Sequence, residues 1–66
     1  MSKHLIVVAG TPDADATALA IANGCVGYYQ GIPPVWQGLA EEQSWSLPCV
    51  VTEGDDGNVV NWAPVA

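Results

Sequence analysis

The feature that most constrains the fold of this chain is an apolar, β-branched run near its start. Residues 4–9 read His-Leu-Ile-Val-Val-Ala, with no alternation between apolar and polar side chains after His4, and Gly10 follows. A strand that is apolar on both faces is typical of a central strand covered on two sides. We therefore expect a sheet with this strand inside it and packed material on both of its faces.

A helix is predicted over residues 12–22, directly after this strand. Thr11 has the chemistry of an N-cap and Pro12 suits the first helical position. Alternate alanines supply high helix propensity, and Asn23-Gly24 is typical of a C-cap. Because Thr17 is the only polar residue beyond the first turn, the helix is expected to be buried nearly all round or to meet another chain with its free face.

The remaining pattern predicts three more strands and a less regular middle segment. Residues 25–30 are expected to form a second strand. The spacing of apolar residues over 36–43 favours a short helix, which Gly38 disfavours. Residues 47–52 and 58–62 are predicted to form a hairpin, because an acidic, glycine-rich turn separates them.

Together these elements predict a small α+β domain with the order β-α-β-β-β. It would have about four strands, one N-terminal alanine-rich helix, room for a short second helix, and a C-terminal β-hairpin. Pro48 either places its strand at an edge or marks the strand start, and Pro64 is expected to end the last strand. No repeat, linker or low-complexity run divides the sequence, so residues 1–66 are expected to form a single compact domain.

The balance between length and hydrophobic content is unusual. Half of the 66 residues are hydrophobic, yet a chain this short buries only about 60% of the surface of its unfolded form. To be stable when folded, such a chain often needs a disulfide bond, a bound metal or a partner chain. Cys25 and Cys49 are the candidates for a disulfide bond, although free, buried thiols are favoured in a chain without a secretion signal.

The charge balance excludes two classes of partner. Lys3 is the only lysine, arginine is absent, and the formal net charge is −6. Ordinary nucleic-acid binding and adhesion to anionic lipid both need several cations, so both are excluded. Capping and turn chemistry account for most of the acids, which form three small groups: Asp13 with Asp15, Glu41 with Glu42, and Glu53 with Asp55 and Asp56.

The motifs that usually carry chemistry are missing from the sequence. The strand–loop–helix at 7–12 lacks the glycine fingerprints of phosphate-binding loops. His4, Cys25 and Cys49 lack the spacing of zinc ligands, and the acidic turn lacks the EF-hand order. No cation lies near either cysteine in sequence to activate a thiolate. We therefore expect no catalytic, cofactor or metal site, and a protein that is not an enzyme.

The aromatic residues are all tryptophan and tyrosine, with no phenylalanine. These two types anchor protein interfaces, because one end can be buried while the other makes a hydrogen bond. Trp36 is the first candidate, since the Ile-Pro-Pro-Val segment before it is pre-ordered and loses little entropy on docking. The predicted interface residues are Tyr29, Ile32, Pro33, Pro34, Val35, Trp36, Trp45 and Trp62.

These observations favour a non-catalytic, small acidic structural or accessory protein that packs through apolar and Trp-bearing surface into a larger assembly. A homo-oligomer and an accessory subunit of a virus particle both fit, with a protein partner or self-association and no direct nucleic acid or membrane. The alternative is an acidic inhibitor that presents carboxylates to a basic groove in place of phosphates. We expect a complete small protein in the cytoplasm or a virus particle, since the N-terminal apolar run is shorter than a signal peptide requires.

Overall fold

The chain folds in the predicted order of elements, in a computed structural model that describes residues 1–65. The strands are β1 (Lys3–Val8), β2 (Gly27–Gln30), β3 (Cys49–Glu53) and β4 (Val59–Pro64). The helices are α1 (Asp13–Ala22) and the short α2 (Gln37–Glu42), which follows a single 3₁₀ turn at Pro34–Trp36. The predicted small α+β fold, with four strands, an N-terminal helix and a C-terminal hairpin, is confirmed.

The strands form one mixed sheet in the order β2-β1-β3-β4. β1 runs parallel to β2, to which α1 connects it, and antiparallel to β3, which forms a hairpin with β4. The first strand is therefore central, as predicted. Its side chains alternate between two apolar clusters: Ile6 and Val8 face α1, whereas Val7 faces the tryptophans on the other side. From Leu5 to Val8 both faces of β1 are buried, which explains the continuous apolar sequence of this part of the strand.

Two prolines bound the hairpin. Pro48 directly precedes β3, and the Leu47–Pro48 peptide bond is cis. Because β3 lies inside the sheet, Pro48 marks the strand start and does not indicate an edge strand. Pro64 is the last residue of β4, as predicted.

The start of α1 differs from the prediction by one residue. The helix begins at Asp13, and Pro12 occupies the N-cap position that was assigned to Thr11. The reason is that Pro12 has an extended backbone, with ψ of 142°, so the helical turn cannot begin before it. The Pro12 carbonyl accepts a hydrogen bond from the amide of Ala16 at 2.9 Å. Asp13 and Asp15 still lie in the first turn, where the helix dipole favours carboxylates.

The end of α1 follows the sequence prediction. Asn23 is the C-cap, and Gly24 adopts a φ of +69°, which a residue with a Cβ atom adopts only with strain. The amide of Cys25 donates to the carbonyl of Ala20 at 2.8 Å, and the amide of Gly24 donates to that of Ile21 at 3.1 Å. This pair of hydrogen bonds is the Schellman motif, which satisfies the last carbonyls of the helix and turns the chain toward β2.

The expectation that α1 is buried nearly all round is wrong within this chain. Only Ala16 and Ala20 are buried, and Ile21 remains 72% exposed. α1 packs mainly on β1 and β2, so the sheet covers one side of the helix and the opposite side stays open. That this free side meets another chain stays a prediction.

Candidate functional site

Four aromatic side chains lie on the sheet face opposite α1, and each ring contacts the next: Tyr29, Trp36, Trp45 and Trp62. We call this set the aromatic row. The ring centroids of Tyr29 and Trp36 are 5.3 Å apart and nearly perpendicular. Those of Trp36 and Trp45 are 6.3 Å apart, and those of Trp45 and Trp62 are 5.7 Å apart. These separations are typical of favourable aromatic pairs. The row therefore extends from edge strand β2, which holds Tyr29, to edge strand β4, which holds Trp62. Its two middle rings belong to the segment that crosses the sheet between β2 and β3.

The middle of the row comes from the segment between β2 and β3. Gly31, with a φ of +86°, turns the chain after β2. At the end of α2, Ser44 has a φ of 54° and the amide of Trp45 donates to the carbonyl of Ala40 at 3.0 Å. This Schellman-like reversal turns the chain at the end of α2 and carries it into Trp45, which packs against the cluster on this face.

Trp36 belongs to the core of the chain. Its side chain is 5% exposed and packs with Val7 and Val51. The indole Nε1–H donates to the carbonyl of Gly57 at 3.2 Å, so the only polar atom of the side chain is satisfied inside the molecule. The surface that Trp36 offers to a partner is correspondingly small. Trp45 and Trp62 are only half-buried and hold most of the accessible surface of the tryptophans.

Tyr29 is also held within the chain. Its hydroxyl donates to Oε1 of Glu53 at 3.1 Å, which connects edge strand β2 to the end of β3. Burial raises the pKa of Tyr29, and the hydrogen bond and negative charge of Glu53 act in the same direction. Tyr29 therefore positions the row and stays protonated at neutral pH.

The proline segment is partly exposed. Ile32 and Pro33 are half-buried, whereas Pro34 and Val35 lie on the surface. Pro33 is extended, with φ −54° and ψ 142°, as its sequence context predicts. The structure thus brings Ile32 toward the aromatic row and leaves Val35 pointing away from the core.

An open groove lies beside Trp45, and we call it the Trp45 groove. It has a volume of about 460 Å³ and a mostly apolar lining with one charged group, the carboxylate of Glu41. Its lining residues are Ile32, Gln37, Ala40, Glu41, Ser44, Trp45 and Leu47. The groove is open to solvent and does not form an enclosed cavity.

A second groove lies beside Trp62, between residues of α2 and β4 and the turn that ends α2, and we call it the β4 groove. Its volume is also about 460 Å³, and no charged residue lines it. The lining residues are Leu39, Gln43, Val59, Val60, Asn61 and Trp62. Neither groove was predicted from the sequence. The Trp45 groove is formed within residues 32–47, whose conformation the sequence pattern does not specify, and the β4 groove joins α2 to residues that are distant along the chain.

The two cysteines are free and lie on opposite faces of the sheet. Cys25 packs against the α1 cluster, whereas Cys49 is fully buried in the cluster beneath the aromatic row. Burial raises the pKa of both thiols, which lowers the thiolate fraction at neutral pH. Among residues 1–65 no group of three metal-ligating side chains is gathered in one place.

We expect Cys49 to react with a chromogenic disulfide reagent only when the protein unfolds, because its side chain has no exposed surface and a raised thiol pKa. Cys25, which is half-buried, should react slowly in the folded state. Thiol titration at mildly alkaline pH, with and without urea, measures both rates, and Cys25→Ser assigns them. Immediate reaction of the folded Cys25→Ser variant would contradict the expectation.

None of the helices in the described part of the chain is long and apolar enough to cross a membrane. A scan against protein-family models and searches of curated proteins and of solved structures returned no match. The structure itself shows half-buried tryptophans, the Trp45 groove with its single carboxylate, and the uncharged β4 groove. Such features suit the binding of another chain.

Proposed function

We propose that this protein is a small, acidic, non-catalytic accessory subunit that joins a larger assembly by binding a protein partner through the Trp45 groove. A homo-oligomer and a virus particle are both suitable assemblies. The observation that carries the proposal is the position of Trp45, which is half-buried at an open groove although the core beneath it is already filled by Trp36.

The surroundings of Trp45 have the anatomy of an interface anchor. One side of its ring is fixed by Trp36 and Trp62, so little side-chain entropy remains to be lost on binding. The other side borders the groove, where Ile32 and Leu47 supply half-buried apolar surface. Rigid tryptophans in apolar depressions are the residues that most often dominate binding energy.

The charge at the groove indicates the chemistry of the partner. Glu41 is exposed at the groove wall, and the chain as a whole has a net charge of −6. A lysine or arginine of the partner fits both features, because its apolar stem can lie along Trp45 while its charged head meets Glu41. Complementary charge also accelerates the encounter with a basic partner.

The alternative of an acidic inhibitor that mimics nucleic acid has less support. Asp13 and Asp15 begin α1, which follows the C-terminal end of β1. Asp55 and Asp56 lie in the β3–β4 turn, which is at the opposite end of β1 because β3 is antiparallel to it. A continuous row of carboxylates, as a phosphate backbone would require, is not formed by these groups.

A charge reversal at the groove tests the proposal, with the adjacent glutamate as its control. In extracts of cells that naturally produce the protein, tagged wild type should elute well above the monomer mass. Glu41→Lys should shift it to the monomer, because the new cation repels a basic partner, whereas Glu42→Lys makes the same charge change away from the groove and should leave the complex intact. Size-exclusion chromatography with cross-linking measures both. A monomeric wild type, or equal loss in both variants, would overturn the proposal.

A further inference from the structure

The outer edge of β4 is an unguarded sheet edge. Within residues 1–65, β4 pairs with β3 on one side only, so the backbone N–H and C=O groups on its other side have no partner strand there. Natural proteins usually protect such edges with charged side chains, prolines or short strands. Here the six residues Val59–Pro64 include no charge, and protection is limited to a register irregularity near Glu53 and the terminal proline. The opposite edge strand, β2, has only four residues.

The β4 groove borders this same strand. Four consecutive β4 residues line it on one side, and Leu39 and Gln43 of α2 line the other. An added strand would find backbone partners on β4 and a place for its side chains between β4 and α2, which is the geometry of β-strand addition. Val60, at 66% exposed, and the half-buried Trp62 would lose surface to such a strand.

The lining defines which strand would fit. An extended, apolar and uncharged segment is required, since no charged residue lines the groove. Residues 59–64 of a second copy have these properties, and they are already extended. Pairing about a two-fold axis would place the same uncharged strand on both sides of the interface. Each chain has a net charge of −6, but its acidic side chains lie outside β4 and would not face each other between the paired strands.

We infer that β4 is a self-association edge, on which β4 of a second copy pairs in antiparallel orientation to join two four-stranded sheets into one. The inference extends the proposed assembly role, but it rests on the β4 edge and not on the Trp45 groove. An experiment can therefore disprove the role of one surface without disproving the role of the other.

Sedimentation equilibrium of purified wild type and two matched variants tests this inference. Val60→Lys places a charge on the edge, and Val26→Lys makes the same change at another exposed valine, just before β2. We expect wild type to be a dimer whose dissociation constant rises at least about tenfold in Val60→Lys and stays unchanged in Val26→Lys. Raising the salt above about 0.1 M should tighten the wild-type dimer, because it screens the repulsion between two acidic chains. Circular dichroism confirms that each variant is folded.

The other outcomes separate this inference from the proposed function. A wild type that stays monomeric at all concentrations overturns the self-association edge, and the Trp45 groove remains testable in native extracts. A dimer that survives Val60→Lys but is lost in Glu41→Lys also overturns it, since the copies would then meet through the Trp45 groove. Equal weakening by Val60→Lys and Val26→Lys would show a general effect of charge and would overturn it as well.

Discussion

Replacing Trp36 with alanine is expected to cost about 3–5 kcal/mol and to leave a large share of the molecules unfolded at 25 °C. A 66-residue chain has a total stability of only about 3–10 kcal/mol. Trp36 is buried against Val7 and Val51, holds two other rings of the aromatic row, and makes a hydrogen bond to Gly57. The substitution therefore leaves a large cavity and releases the β3–β4 turn from the segment that crosses the sheet.

Trp36→Phe is the matched control, because it keeps an aromatic ring but loses the indole donor to Gly57. It should cost about 1–3 kcal/mol, from the unsatisfied carbonyl and the smaller volume. Urea unfolding monitored by far-ultraviolet circular dichroism compares the two variants without depending on tryptophan fluorescence. If Trp36→Ala were no less stable than Trp36→Phe, the central role of Trp36 in the core would be wrong.

The second large effect is expected at Ala16, where leucine should be destabilising by about 1–3 kcal/mol or more. Ala16 has no exposed surface and lies against Ile6 and Val8 at the contact between α1 and the sheet. A larger side chain has no space there unless α1 moves away from β1. The same substitution at Ala14, which is exposed on the same helix, should change the stability by less than about 0.5 kcal/mol.

Thermal and urea unfolding of Ala16→Leu and Ala14→Leu measure this difference. Both variants add the same side chain to the same helix, so a change in helix propensity affects them equally. Similar stabilities of the two variants would mean that α1 is not tightly packed on the sheet.

The elements that the sequence predicted correctly have strong local signals. The apolar run of β1 has no alternative to a buried central strand, and Asn23-Gly24 supplies the αL residue that a Schellman cap needs. The glycine-rich turn specifies the hairpin between β3 and β4. The start of α1 was wrong by one residue, because Thr11 and Pro12 both suit the beginning of a helix and only the backbone of Pro12 decides between them.

The candidate site was less predictable, because tertiary position determines it. All three tryptophans have the same local chemistry, and sequence alone favoured Trp36 as the first interface residue on account of the prolines before it. The path of the chain over the sheet buries Trp36 and leaves Trp45 and Trp62 half-exposed. The β4 groove was missed for a related reason: Leu39 and Trp62 are far apart in the sequence and meet only in the folded sheet.

The order of strands in the sheet also determines which strands can unfold locally and which open only with the whole domain. β1 and β3 have hydrogen-bonded neighbours on both sides, so their amide protons can exchange with solvent only when the whole domain opens. The edge strands β2 and β4 can separate one at a time, and their amides exchange through such local opening at a smaller free-energy cost. A chain bound along β4 would slow exchange in that strand and leave β2 as the first part of the sheet to open.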